Sequence, residues 1–259
     1  MDVRGPVVII GLGQLGKLFQ DAFTRLGYEV IGVRRGTDWP ALAAQHPGAA
    51  AVLVAVGEDD LKDVLRTLPA VWRPRVALVQ NELRPAMWLS EGITDPTVMV
   101  VWFERKNDQP PHVVRESVVA GPLAPLLAEA LAPLDLTPSL IETKALAHEL
   151  CLKNLYILTL NLCGLAVGAT AGGLYREHKE LFEAVFMEVF ALEQALFGHD
   201  VRLDPLALRI ELERAIHADP EHATAGRSAP RRLERARAEA QRRGLAVPHL
   251  DQLAESIGQ

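Results

Sequence analysis

The sequence predicts an α/β protein: a doubly wound, mostly parallel sheet covered by helices, followed by an all-helical region. Three observations carry this. Short runs of branched apolar residues alternate with segments of helical spacing through the first half of the chain. The first run, Val7-Val8-Ile9-Ile10, feeds directly into Gly11-Leu12-Gly13-Gln14-Leu15-Gly16 and then into the helical pattern Leu18, Phe19, Ala22, Phe23 and Leu26. From Glu142 onward the strand signal almost vanishes, leaving long helical periodicity.

Taken in order, the expected elements are a strand over residues 7–10, a helix over 16–26 and a second strand over 29–33, which closes a βαβ unit. Residues 50–56 read as a third strand, 61–68 as a helix, and 76–80 and 97–103 as further strands. Residues 113–120 alternate, and the charges of Arg115 and Glu116 place that strand at the sheet's edge. Runs buried on both faces belong to a parallel sheet covered by helices. Residues 122–133 read as one more covering helix, and helices follow over 143–169, 176–197, 205–216 and 231–243. The expected division is a sheet domain of residues 1–140 and a helical domain of 141–259. A sheet of this kind presents ligands at the carboxyl ends of its strands, and a cleft is expected where two domains meet.

Composition narrows the class. With 259 residues, 49% apolar and 23% charged, the chain can bury a core for one large or two modest domains and is not disordered in character. A net charge of -6 argues against a general nucleic-acid binder. Cys151 and Cys163 lie outside any CxxC pair in one apolar stretch and read as core thiols, which suits a reducing cytoplasm. A strand begins almost at the N-terminus, so no leader is expected. Residues 150–174 are apolar enough to suggest a membrane span, but Lys153, Asn154 and Asn161 interrupt them, so a buried helix is expected. Helix 177–197 carries Phe182, Phe186 and Phe190 beside Leu181, Val185 and Val189, a broad apolar surface suited to the core or to a homodimer.

The glycine stretch carries the clearest chemistry. Gly11 permits the turn, Gly13 lets the backbone approach a pyrophosphate, and Gly16 lets the helix pack closely, while the helix N-terminus offers N–H groups to the anion. An NAD site of this kind places an acid at the tip of the second strand. Here that strand ends in Arg34-Arg35, which would meet a 2′-phosphate, so NADP is the expected cofactor.

Lys153 stands in the apolar run Leu150-Cys151-Leu152-Lys153-Asn154-Leu155. It suits a desolvated proton donor and an i,i+4 ion pair with Glu149 equally well. Asn161 lies two turns further along the same helix and reads as a substrate ligand or a member of a core network. Asn81 follows the strand over 76–80, at the end where ligands gather, unless it only forms a turn before Pro85. Asp219-Pro220 separates His217 from His222, so no metal site is expected. No GxSxG elbow is present. The basic helix over 231–243, with interleaved glutamates and no aromatic residues, reads as a solvated amphipathic helix.

These features together resemble the ketopantoate reductase (2-dehydropantoate 2-reductase) family. The resemblance rests on Gly11-Leu12-Gly13-Gln14-Leu15-Gly16, Arg35, Gln80-Asn81 where the family has an Asn-Gly turn, the Lys153 helix with Asn161, Gly173-Leu174, and Gly244-Leu245-Ala246-Val247-Pro248. It implies an NADP-binding Rossmann domain followed by a helical domain like that of 6-phosphogluconate dehydrogenase. It further implies Lys153 as general acid, Asn81 beside the nicotinamide and Asn161 at the substrate, in hydride transfer between NADPH and a small 2-keto acid.

Several substrate positions depart from the family pattern. Val56-Gly57-Glu58 stands where a lysine is usual, Ile157 replaces a second asparagine, and a substrate-holding glutamate is replaced around Ser228, which becomes the candidate there. Phe103-Glu104-Arg105-Lys106 replaces a histidine and alanines. The cofactor site is therefore expected to be retained and the substrate site rewritten, so the substrate need not be ketopantoate. The alternative is an NADP(H)-binding sensor or assembly protein without turnover.

Overall fold

The structure, a computed structural model, describes residues 5–104, 109–198 and 201–257. Arg105 and Lys106, among the expected departures, lie outside the described residues. Strands β1 (Val7–Ile10), β2 (Val30–Val33), β3 (Ala51–Val54), β4 (Val76–Leu78) and β5 (Thr97–Val100) are parallel, in the order β2-β1-β3-β4-β5. Residue 7 pairs with 30 on one side and 51 on the other, so the chain reverses its winding direction at β1. That reversal opens a crevice beyond the carboxyl ends of β1 and β3.

The end of the sheet differs from expectation. Residues 97–103 are not one strand: β5 stops at Val100, and Phe103–Glu104 (β6) pairs antiparallel with His112–Val113 (β7) away from the main sheet. The diversion is fixed where the Trp102 N–H donates to the Ser117 hydroxyl at 2.9 Å. Residues 113–120 accordingly divide between β7 and β8 (Val118–Ala120), which lies antiparallel to β5. Nor is β8 an edge strand, because β9 (Ser139–Leu140) pairs outside it. Arg115 belongs to the turn between β7 and β8. Its guanidinium lies 5.1 Å from the Trp102 ring and 3.6 Å from the Glu149 carboxylate.

Helices α1 (Gln14–Arg25), α2 (Trp39–Gln45), α3 (Glu58–Thr67), α4 (Pro85–Leu89) and α5 (Ala124–Leu131) complete this unit. One core layer joins Val7, Ile9, Leu53 and Met99 of the sheet to Phe19 and Phe23 of α1 and Leu127 of α5. Val8, Val52 and Leu78 alternate with the inward residues of their strands and are also completely buried, as a sheet covered on both faces requires. The sequence pattern did not flag α2 and α4. Each is a turn or two long, with proline in its first turn, and too short to show a period.

The chain forms two compact units, one ending at Glu149 and the other beginning at Leu150, inside α6 (Thr143–Val167). The second unit also contains α7 (Ala171–Glu177), α8 (Lys179–Phe197), α9 (Pro205–Ala218), α10 (Ala229–Arg242) and α11 (Pro248–Ile257). The single helix expected over 176–197 is interrupted: α7 begins at a Thr170 cap that accepts the Gly173 N–H and ends at His178, where α8 starts. By length and composition α6 could cross a membrane, and 72% of its most apolar stretch is buried. On α8, Phe182 and Phe186 are buried. α11 was not anticipated. It is held by Glu188 of α8, whose carboxylate accepts the N–H groups of His249 at 2.9 Å and Leu250 at 3.0 Å.

Candidate functional site

The first unit contains a cavity of about 880 Å³ at the carboxyl ends of β1, β2 and β3. Its walls come from Ile10–Gly13 after β1, Val33–Gly36 after β2, and Ala55–Gly57 with one face of α3 after β3, so the winding reversal places a site where three strand ends converge.

The turn between β1 and α1 works as three different glycines. Gly11 has φ +96°, and a Cβ there would stand 2.7 Å from the Ala55 carbonyl oxygen, so only glycine fits the turn beside β3. A Cβ on Gly16 would stand 1.9 Å from the Gly11 carbonyl oxygen, which shows how closely α1 folds back on the turn. Gly13 is the opposite case, with nothing within 4 Å of where a Cβ would be. It caps α1 without a side-chain hydrogen bond, leaving the first N–H groups of a twelve-residue helix directed at open space. Leu12 is fixed by the gap at Gly32, where a Cβ would meet its methyl at 2.7 Å. Gln14 and Leu15 line a smaller adjoining cavity. A bare helix N-terminus, an uncovered backbone at Gly13 and a cavity of this volume beside them fit the pyrophosphate of a dinucleotide.

Arg34 and Arg35 both line the larger cavity and are exposed. The Arg34 N–H donates to the Thr37 hydroxyl at 3.2 Å, which tightens the loop after β2. The Arg35 guanidinium reaches Asp60 of α3 at 3.3 Å. Asn81 lies in the smaller cavity with Gly13 and Gly57. Gln80 holds the preceding backbone by donating to the Val54 carbonyl at 2.6 Å and accepting the Val79 N–H at 3.2 Å. Glu82 follows in a left-handed conformation, φ +57°, that residues with a Cβ rarely adopt. The structure thus gathers Gly11, Leu12, Gly13, Arg34 and Arg35 around one cavity and Asn81, Gln14 and Leu15 around its neighbour. Gly16 supports the turn from below.

In the second unit, Lys153 is half-buried on α6, its ammonium 5.7 Å from the centre of the Tyr156 ring. The Tyr156 ring also meets His222, ring centres 5.9 Å apart, and His222 Nδ1 lies 3.2 Å from Asp219. Asn161 is held at both ends of its carboxamide: it donates to the Thr224 carbonyl at 2.9 Å and accepts from the nearly buried Arg232 at 2.6 Å. These bonds join α6 to the segment leading into α10. Ser228 is exposed at the start of α10, and its side chain makes no capping bond. Burial pushes the Cys163 thiol up to about 12, which leaves it inert, and Cys151 is fully buried.

Sequence reasoning missed Trp39 and Asp60, which also line the larger cavity. Trp39 is the one tryptophan of four that is not buried. Asp60 sits among Glu58 and Asp59 in the first turn of α3, where acids complement the helix dipole and so drew no notice.

No family model matches this sequence, and no curated protein is similar to it at the sequence level. Solved structures do match. A 2-dehydropantoate 2-reductase from Geobacter metallireducens GS-15 superposes with a TM-score of 0.68 at 16% identity, over 98% of this chain and 99% of that one. This chain has the ketopantoate reductase fold. The dimeric ketopantoate reductase of Staphylococcus aureus matches with a TM-score of 0.65 at 13% identity, over 98% of this chain and 97% of that one. D-mandelate dehydrogenase in complex with NADH and anilino(oxo)acetate matches this chain with a TM-score of 0.66 at 14% identity, over 97% of each chain.

Proposed function

We propose that the protein is a nicotinamide-dependent oxidoreductase that uses NADPH to reduce a small 2-keto acid or related carbonyl compound. One observation carries the reading: the cavity at the ends of β1, β2 and β3 combines the uncovered Gly13 backbone with Arg34 and Arg35. Solved proteins that match this chain include ketopantoate reductases and a mandelate dehydrogenase seen with NADH, so keto-acid chemistry supports the same reading.

In this reading the N–H groups at the start of α1 hold the pyrophosphate, and Arg34 and Arg35 take the 2′-phosphate by charge-assisted hydrogen bonds. Asn81, set by the Gln80 anchor, serves the nicotinamide side. The bound cofactor supplies the hydride; the protein supplies orientation and charge. Lys153 is the proton donor to the carbonyl oxygen, the atom on which negative charge develops as the ketone is reduced. Tyr156 confines its ammonium from one side by the cation–π contact. Asn161 and Ser228 serve the substrate, Asn161 through the carboxamide that Arg232 and Thr224 hold in one orientation.

Two variants test this reading with a panel of 2-keto acids. NADPH consumption should fall at least a hundredfold in Lys153→Ala while NADPH affinity stays within twofold, in line with the usual worth of ~10²–10⁴ for a positioned acid. Arg35→Ala should weaken NADPH far more than NADH. Tight NADPH binding with no turnover on any acid would instead assign the protein to sensing or assembly. Equal losses for the two cofactors in Arg35→Ala would remove the 2′-phosphate assignment.

A further inference from the structure

The larger cavity holds an opposed pair of charges that the proposed function leaves unexplained. Arg35 approaches from the loop after β2, and Asp60 approaches from the first turn of α3, across the same space. Arg35 Nη2 donates to Asp60 Oδ2 at 3.3 Å. Their side chains are 93% and 54% exposed, so water and salt screen the pair and an incoming anion can displace either partner. Asp63, one turn further along α3, also lines the cavity and is paired with Arg66 at 2.8 Å.

In the usual dinucleotide site the acid that receives a ribose 2′-hydroxyl stands at the tip of the second strand. Here that tip carries Arg34 and Arg35, and a carboxylate reaches the same place from α3. We infer that Asp60 is a specificity-determining residue that restrains the preference for a 2′-phosphate over a 2′-hydroxyl; this rests on the reading of the cavity as the cofactor site. A 2′-phosphate must take Arg35 away from Asp60. The freed carboxylate then faces the phosphate as a like charge, with Asp63 behind it. A 2′-hydroxyl meets no such conflict, because it can donate to Asp60 while Arg35 keeps its partner. The two arginines favour NADPH, Asp60 opposes them, and the site retains useful affinity for NADH.

The test is calorimetric titration of NADPH and NADH into the full-length protein, its Asp60→Asn and Arg35→Ala variants, and the double variant. Asparagine keeps the shape and the start of α3, and circular dichroism verifies the fold. Asp60→Asn should tighten NADPH five- to tenfold and leave NADH unchanged or up to threefold weaker. In the Arg35→Ala background the same change should alter NADPH affinity less, since the competition for Arg35 is already gone. A second readout uses 2′-AMP against 5′-AMP, which isolates the discriminating phosphate; Asp60→Asn should tighten only the former. The inference is overturned if Asp60→Asn leaves NADPH within twofold of wild type, or tightens both cofactors equally. Failure of the wild-type protein to bind either cofactor overturns the cavity assignment and this inference together, whereas equal cofactor losses in Arg35→Ala with the Asp60→Asn effect intact overturn only the arginine assignment.

Discussion

Gly13 and Gly16 belong to one six-residue motif, yet replacing each with alanine should have opposite consequences. A Cβ on Gly16 would stand 1.9 Å from the Gly11 carbonyl oxygen, against a floor of 3.0 Å for real contacts, and the atom it meets is backbone. Relief requires α1 to move away from the turn, which would loosen Leu18, Phe19 and Phe23 in the core beneath it. Overpacking of this kind costs about 3 kcal/mol, the upper part of the usual range. At about 2–4 °C per kcal/mol for a domain of this size, Gly16→Ala should lower Tm by roughly 6–12 °C. Gly13→Ala puts its methyl in open space, on a backbone (φ -71°, ψ -165°) that alanine adopts freely. Alanine is a poorer helix cap than glycine, but only by about 1 kcal/mol or less, so Tm should fall by no more than about 4 °C. The methyl occupies the space over the first N–H groups of α1, so NADPH affinity should drop at least tenfold, equivalent to about 1.4 kcal/mol. Differential scanning fluorimetry and calorimetric titration on the two variants measure both quantities. A Gly16→Ala protein as stable as wild type would show that the turn is not packed as described. Unchanged NADPH affinity in Gly13→Ala would show that the pyrophosphate does not lie over this turn.

Two further predictions concern the helical unit. Glu188→Ala removes the acceptor for the His249 and Leu250 N–H groups and for His249 Nδ1 at 2.7 Å. It should cost about 1–3 kcal/mol and speed amide exchange throughout α11 before the rest of the unit, and unaltered exchange there would refute the anchor. The second concerns pH. The Tyr175 hydroxyl donates to Glu213; this bond, aided by Arg209, holds the Glu213 carboxyl below its ordinary 4.5, and the same bond raises Tyr175 above its ordinary 10.0. Glu213 therefore contributes stability above 4.5 that is lost as pH falls through its lowered folded value. Tyr175 contributes stability below 10.0 that is lost as pH rises through its raised one. The Tm difference between wild type and Tyr175→Phe should be level across the neutral range and shrink at both extremes; a difference independent of pH would count against the coupling.

The sequence alone determined the order of sheet and helices, the glycine turn and its arginines, and the Lys153 helix. Each of these is local: a run of branched residues, a turn that only glycine can make, a period of 3.6 within one helix. It could not determine the path after Val100, because the diversion depends on Ser117 bonding Trp102 fifteen residues away, and alternation over 113–120 looks the same in a hairpin as in an edge strand. Nor could it separate α7 from α8, since the polar run Arg176-Glu177-His178-Lys179-Glu180 contains no glycine or proline to mark the break at His178.

The site shows the same division. Glycine roles are written in the motif because backbone geometry admits no other residue, and the crowding at Gly11 and Gly16 agrees with them. Arg35 was visible from its position after a strand, but its partner Asp60 was not. The two are twenty-five residues apart and meet only because parallel strands deliver successive loops to the same end of the sheet. The fixed orientation of the Asn161 carboxamide likewise comes from Thr224 and Arg232, more than sixty residues further on. Tertiary folding decided which charges oppose one another. Charges act through distance, and sequence separation does not give that distance.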